Sequence, residues 1–393
     1  MKYNKYKNIF NYYRGQNFSK GDFDEHYNKQ IEDNTTKAFI NTLEYLSVAT
    51  QKEVLKKLGI VTERIKSFDL QPSFKYSRPD AVIRTHERDY FIESKVGSEL
   101  IIEQLKNHLL YIGNEALLIV ITNNAKDADK INKEGLNHKF FTWNDIWLKF
   151  NTVKTENKTD SFIINQFLNY LEDNNMCEFN GFKQKDFDAF LFIEDDYKEE
   201  ARKNVKLRFS SFIDKMKIAL KEESVYADIY SKVMKAVRKD TTYVWGNFVK
   251  EGKDNIDIAH FWINISANGI DIGIQNEGAN STKQFINKLS KDAEGFTSIC
   301  KKLDNYKLDL KERYQIQVQN YGIHQLATIN LGNNFTINDT QYLISKIKEY
   351  KLIELTFYKH YNRDDKSLED IGVINVFKDE FVKLADLYRF NQK

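Results

Sequence analysis

Proline is almost missing from this chain. Two occur in 393 residues, and one of them, Pro79, stands directly before Asp80. Cysteine is equally sparse. Cys177 and Cys300 lie far apart and without metal-ligand spacing, which argues against a disulfide framework and against structural zinc. So few cysteines suit a reducing compartment. No run approaches the roughly 20 apolar residues that a membrane-spanning helix needs. The first residues, "MKYNKYKNIFNYYRGQNF", are polar and aromatic with no apolar signal core. The expectation is a cytoplasmic protein with no membrane partner. An excess of one charge is also lacking: the formal net charge is +2, so no global field recruits nucleic acid and any basic surface has to be local. There is no internal repeat at periods of about 20–50 residues and no P-loop. The glycines of "GIDIGIQNEG" (269–278) lack the strand–turn–helix setting of a phosphate cradle.

What is present is ordinary globular material. Apolar residues make up 41 % and charged residues 30 % of the chain, enough to bury a core, and the length suggests about two or three domains. Residues 1–25 read as an irregular or weakly helical lead-in. "IEDNTTKAFINTLEYLSV" (31–48) places Ala38, Phe39, Leu43 and Leu46 on one helical face, with Asp33 or Asn34 as candidate N-cap. A second helix over about 50–58 stops at Gly59. "DAVIRT" (80–85) and "YFIESKV" (90–96) flank the polar turn "HERD", a hairpin pattern. Ser98 is the candidate cap of a helix over 98–112. "EALLIVITNN" (115–124) suits a strand buried on both faces, and 140–150 a short strand followed by a helix capped near Asn144. This order describes a compact α/β domain within residues 1–150.

The polar stretch "NTVKTENKTDS" (151–161) reads as a linker. Residues 162–393 then form an α+β C-terminal region, with a candidate helical subdomain over 162–238. Strands follow at 241–249, 260–266 and 270–277, the last two joined by the hairpin dipeptide Asn268-Gly269. Next come a helix around 281–303, strands at 314–320 and 324–331 around a Gly322 turn, a helix over 337–350, a strand over 351–360 and a helix over 377–390.

The hairpin carries the chemistry. Side chains alternate along a strand, so Glu93 and Lys95 share a face and Ser94 points away. Antiparallel pairing brings Asp80 to the end of the partner strand that holds Glu93 and Lys95. Two carboxylates and an ammonium then converge. Hard divalent cations such as Mg²⁺ take oxygen ligands, often only one or two carboxylates with several waters. A lysine beside such an ion can orient or activate an attacking water while the metal stabilises charge developing on a phosphate. The pattern is coherent for phosphodiester hydrolysis.

Pro79-Asp80 followed by Glu93-Ser94-Lys95 on the next strand resembles the signature of the PD-(D/E)XK nuclease superfamily. Upstream, "EDNTTKAFINTLEYL" (32–46) resembles the first-helix motif of one branch, whose glutamate joins the acidic cluster and maps to Glu32. Downstream, "EQLKNHLLYI" (103–112) resembles the helix whose glutamine faces the site, here Gln104, and 117–124 and 140–146 resemble the following core strand and closing strand–helix. The resemblance covers about residues 25–150. It implies a restriction-endonuclease-like α/β domain with a mixed sheet flanked by helices. It implies Asp80 and Glu93 as ligands of Mg²⁺, or Mn²⁺ in its place, with the Ser94 backbone carbonyl helping. Lys95 would position the nucleophilic water. Glu32 would ligate directly or through water, and Gln104 would stand behind the ligands or touch substrate. The implied activity is a Mg²⁺-dependent endonuclease acting on nucleic acid, DNA first, in restriction, phage defence or DNA processing. By analogy it would work as a homodimer.

Plainer readings stand beside these. A solvated hairpin with a cross-strand ion pair is worth only ~0–1 kcal/mol, and a glutamate early in a helix is favoured by the macrodipole alone. Gln104, among Ile101, Ile102, Leu105 and Leu109, could face solvent. His86 reads as a turn residue, and Arg78, Arg84 and Arg88 as surface or phosphate contacts. The basic run 201–217, flanked by the acidic 194–200, suits a solvated helix or a nucleic-acid backbone. Tyr243, Trp245, Phe261 and Trp262 suit a core or base stacking. Two other functions stay open: a nucleic-acid-binding protein whose nuclease core does not cut, and a sensor whose C-terminal half binds a small molecule or a protein.

Overall fold

The computed structural model describes residues 8–11, 23–75, 77–96, 98–112, 116–191, 197–223, 226–253, 258–277, 279–317, 320–350 and 353–392. The chain divides into two units between Glu178 and Phe179. Almost all of the lead-in expected over 1–25 and the start of the acidic run at 194–200 lie outside the described residues.

The first unit runs α1 (Phe23–Tyr45), α2 (Val48–Lys57), β1 (Ile65–Leu70), β2 (Ala81–Thr85), β3 (Asp89–Ser94), α3 (Ile102–Ile112), β4 (Leu117–Thr122), α4 (Asp127–Lys133), β5 (His138–Thr142), α5 (Trp143–Asn151) and α6 (Lys158–Asp173). Its five strands lie in the order β1-β2-β3-β4-β5. The first three pair antiparallel and the last three parallel, so the sheet is mixed. Every residue of β4 is buried, as a continuous apolar run between two helical layers requires. Strand alternation sorts the core. Ala81, Ile83, Tyr90, Ile92, Ile119 and Ile121 pack with Phe39, Leu43, Trp143 and Phe167. Val82, Phe91, Leu118 and Val120 pack with Leu105 of α3 and Ile131 of α4. The unit is helix, sheet, helix.

Several expectations change. α1 already begins at Phe23, so Asp33 and Asn34 are interior helix residues rather than caps. β1 and α4 are additional elements. α5 is capped by Thr142, whose hydroxyl accepts from Asp145 N in a capping box, not near Asn144. The largest change concerns α6. Asp160 at its start is 1 % exposed. It accepts hydrogen bonds from Ser47 N at 2.9 Å and Thr50 Oγ1 at 2.6 Å, at the start of α2. Phe167 sits edge-on to Phe150 with ring centroids 5.0 Å apart and packs on Phe39 at 6.1 Å. The stretch 151–161 is therefore a polar loop inside the first unit, with α5 and α6 at its ends. The unit boundary lies after 178, and 162–238 is not one helical body.

The second unit contains α7 (Gln184–Asp188), α8 (Tyr197–Lys221), β6 (Ile229–Val233), β7 (Tyr243–Lys250), β8 (His260–Ser266), β9 (Gly269–Asn276), α9 (Ala279–Lys291), α10 (Ala293–Lys301), β10 (Lys307–Gln317), β11 (Asn320–Asn330), α11 (Ile337–Glu349), β12 (Ile353–Asn362), α12 (Val373–Lys383) and α13 (Ala385–Gln392). Its seven strands form an antiparallel sheet ordered β11-β10-β12-β9-β8-β7-β6. Gly269, at φ 142°, takes the backbone conformation that the β8–β9 turn needs. Gly322 lies within β11, and the residues between β10 and β11 are outside those described. In the basic run on α8, Arg202 is fully buried and donates from Nε to Ala189 O at 3.0 Å, while Arg208 donates to Gly181 O at 2.8 Å. Those two guanidiniums are structural. Phe261 is core, Trp245 and Trp262 are half-buried and Tyr243 is exposed.

A fragment ending at residue 178 is expected to fold, and one ending at 150 to stay largely unfolded, because loss of α6 strips Phe167 and Asp160 from their partners. Circular dichroism with urea titration of the two fragments checks this. Equal cooperative unfolding of both would show that α6 is dispensable.

Candidate functional site

The register of the β2–β3 hairpin builds the site. Ala81 pairs with Ile92 and Ile83 with Tyr90, so Asp80, one residue before β2, meets the end of β3. There Asp80 Oδ2 accepts the Ser94 backbone N–H at 2.7 Å. Alternation along β3 does the rest. Glu93, fully buried, turns toward the α3 layer and its Oε1 accepts from Lys95 Nζ at 2.7 Å. Ser94 turns to the opposite layer and its hydroxyl lies 2.5 Å from Thr36 Oγ1 on α1.

One turn before Thr36, Glu32 reaches the same place. Its Oε1 accepts from Lys95 Nζ at 3.0 Å. Its Oε2 accepts Val96 N at 3.2 Å and Ser98 Oγ at 2.5 Å. Ser98 thus bonds Glu32 rather than capping α3, which begins only at Ile102. Both oxygens of Glu32 are engaged by the protein itself. In this arrangement Glu32 is a holder of Lys95 and of the chain leaving β3.

Gln104 is half-buried in the first turn of α3; the hydrogen bond described for it is from its backbone N–H to Ile101 O at 3.2 Å. One helical turn further on the same face, His108 is 1 % exposed. Its Nε2 lies 3.0 Å from Glu93 Oε2, and its Nδ1 lies 2.5 Å from Ser77 Oγ. Sequence reasoning weighed His86 and passed over His108. The available signal was its spacing of four from Gln104, which puts both on one helix face. Of the arginines near the hairpin, Arg84 pairs with Asp69 and Asp89, each at 2.7 Å, and Arg78 donates to Gln71.

The electrostatics are uneven. Burial, then the negative charge of Glu93, push the Asp80 carboxyl up to about 7, against the opposing pull of the Ser94 N–H and Lys95. Burial works against the Lys95 ammonium, but the charge and hydrogen bond of Glu93, with Glu32 and Asp80, more than offset it and raise Lys95 above its usual range. Lys95 is therefore a firmly protonated donor here.

Among the described residues, no group of three or more His, Cys, Asp and Glu side chains is arranged to hold a metal ion. The donor set facing the site is two carboxylates, Asp80 and Glu93. That count fits Mg²⁺, which completes its octahedron with waters and substrate phosphates. The raised Asp80 carboxyl fits it too, since a cation would relieve the crowding of negative charge that burial makes costly. Among the described residues, no helix is long and apolar enough to cross a membrane. No family model matches the chain, and no curated protein matches it either.

The Asp80 carboxyl rises from 3.8 to about 7 on folding, so between those pH values the folded chain keeps a proton that the unfolded chain has released. Stability then falls as pH climbs through that window. Asp80→Asn keeps the acceptor for Ser94 N–H but cannot ionise. In metal-free buffer its stability relative to wild type should grow from pH 4.5 to pH 7.5 by on the order of a few kcal/mol. Urea midpoints at the two pH values measure it, and a difference that does not change with pH would remove the buried-charge account of Asp80.

Proposed function

We propose that the first unit is a restriction-endonuclease-like, metal-dependent nuclease that hydrolyses phosphodiester bonds in nucleic acid, with DNA as the favoured substrate. The observation that carries this reading is the convergence of Asp80, Glu93 and Lys95 at the end of β3, with Glu32 of α1 bonded to the same ammonium. Four residues that suit one chemistry, an aspartate, two glutamates and a lysine, are drawn from two separated segments to one point.

Asp80 and Glu93 would hold Mg²⁺, or Mn²⁺ in its place, whose charge stabilises the phosphate oxygens and eases ionisation of a bound water. Lys95, kept protonated by its two glutamates, donates hydrogen bonds: it orients the attacking water or neutralises an oxygen of the scissile phosphate. It is too strongly held as an ammonium to be the proton acceptor. Glu32 fixes the direction of Lys95 and, through Val96 N and Ser98 Oγ, the chain that follows it. The water oxygen would bond to phosphorus as the bond to the leaving oxygen breaks, with the water's proton passing to bulk solvent and the leaving oxygen taking one from it.

A second reading draws on one feature of the same site. Both Glu93 oxygens already have protein partners, Lys95 and His108. A core locked in that arrangement would bind nucleic acid without cutting it.

Cleavage of plasmid DNA, single-stranded DNA and RNA with Mg²⁺ or Mn²⁺ separates the two. The nuclease reading expects cutting that Lys95→Ala and Asp80→Ala each reduce by at least ~10²-fold, the scale of losing one transition-state donor, with folding intact. Cutting that survives both substitutions would move the site elsewhere. Salt-dependent DNA binding with no product on any substrate would favour the non-cutting core.

A further inference from the structure

His108 has no part in the sequence pattern that identifies the site, yet it makes the contact that completes it. Its ring lies between two buried oxygens, Glu93 Oε2 at 3.0 Å and Ser77 Oγ at 2.5 Å. A carboxylate only accepts, so Nε2 donates to Glu93, and the second bond joins Nδ1 and the Ser77 hydroxyl, its direction set by the tautomer. Each bond then has one donor and one acceptor. The order serine, histidine, carboxylate is that of a hydrolase triad, but Ser77 is 8 % exposed and sits on the side of the ring away from Glu93. The serine orients the ring and is not placed as a nucleophile.

We propose that His108 is a positioning residue that sets the Glu93 carboxylate for cation binding, an inference that rests on the nuclease reading. Glu93 is held by two donors from different elements: Lys95 Nζ on Oε1, from the chain just past β3, and His108 Nε2 on Oε2, from α3. Two donors on two oxygens fix the plane of the carboxylate. With His108 removed, Glu93 can rotate fully onto Lys95, and a cation has to pull it back. Ser77, from the segment before Asp80, fixes the ring in turn, so each carboxylate that would share a cation has its own holder: Asp80 bonds Ser94 N, and Glu93 bonds His108, which bonds Ser77.

Partners of this kind, acting through a metal-binding group, change metal affinity or activity by roughly 10–100-fold when lost. The test is Mn²⁺ binding to the full chain by isothermal titration calorimetry, beside the Mg²⁺ dependence of cleavage. His108→Ala should weaken Mn²⁺ binding and raise the half-saturating Mg²⁺ concentration by that factor of roughly 10–100, with a much smaller change in kcat at saturating Mg²⁺. His108→Gln, whose amide can donate where Nε2 does, should recover most of the affinity. Ser77→Ala should show a weaker effect of the same kind. Circular dichroism checks folding; if His108→Ala does not fold, the Gln and Ser77→Ala variants decide. Wild-type Mn²⁺ affinity in the His108 variants overturns the proposal, as does a fall in kcat with unchanged metal dependence. Failure of the nuclease reading looks different: wild type binds no Mn²⁺, or Asp80→Asn binds it as tightly as wild type, and the proposal falls with it.

Discussion

The first unit is organised around one buried ammonium. Lys95 is 8 % exposed and lies within 3.0 Å of two carboxylates, Glu32 and Glu93, that are themselves buried. Removing such charges from water is costly, and well-packed apolar residues of similar volume often stabilise a fold as well or better. Stability alone therefore gives a weak account of the cluster. The surrounding structure nevertheless commits several elements to it: a helix that carries Glu32 inward, the hairpin end that supplies Asp80, and the Ser98 hydroxyl, which bonds Glu32. That concentration of buried polar groups at one strand end is what the proposed site rests on.

The sheet explains how so few residues serve both layers. β3 is central, antiparallel to β2 and parallel to β4. Because side chains alternate, its last residues can address both flanking layers at once: Ser94 meets Thr36 of α1, and Glu93 meets His108 of α3. A one-residue slip of the hairpin would exchange those faces, putting Ser94 against α3 and Glu93 against α1. The apolar pattern prevents it, since Tyr90 and Ile92 on one face and Phe91 on the other belong to separate cores. Register, set by hydrophobic burial, is thus what places the charges.

Much of this was legible in the sequence because it is local. The hairpin, its polar turn and the shared face of Glu93 and Lys95 follow from period two, and the buried strand of residues 117–122 from an unbroken apolar run. What escaped depends on long-range packing. α1 extends back to Phe23 through a polar stretch with little apolar periodicity, although Asp22 and Glu25 have the spacing of a capping box in the sequence. β1, exposed at Lys66 and Leu70 and half-buried at its other residues, has a weak alternation that a loop could equally show. The polar loop before α6 looks like a linker, and only the bonds of Asp160 to Ser47 and Thr50 show that the chain returns to the same unit. Ile229–Val233 reads from sequence as part of a helical stretch because its edge-strand pattern, buried at Ile229 alone, carries little periodicity. Ser98 and His108 could not be assigned because their partners, Glu32 and Glu93, are distant in sequence.

The second unit offers a control for the electrostatic reasoning. Glu380 of α12 is 4 % exposed, as buried as the acids of the first unit. It accepts from Lys359 Nζ at 2.8 Å, Lys383 Nζ at 3.0 Å, Tyr361 OH at 3.0 Å and Tyr306 OH at 2.5 Å. Burial alone would raise its carboxyl, but the donors, Lys359 and Tyr306 foremost, bring it down to about 2. Asp80 stands at the other extreme: one backbone N–H, a neighbouring Glu93 of like charge, and a carboxyl near 7. Glu380 is buried and Asp80 half-buried, so exposure does not account for the higher carboxyl of Asp80, and the contrast lies in the donors. Glu380 is saturated with them and has nothing left to offer a ligand, which is the condition of a structural network. Asp80 has one such donor, and the charge of Lys95 only partly offsets burial and Glu93. On the nuclease reading, that contrast has a use: Glu93, Lys95 and Glu32 are fixed by protein partners, while Asp80, held by one backbone N–H, keeps acceptor capacity that a cation would take up.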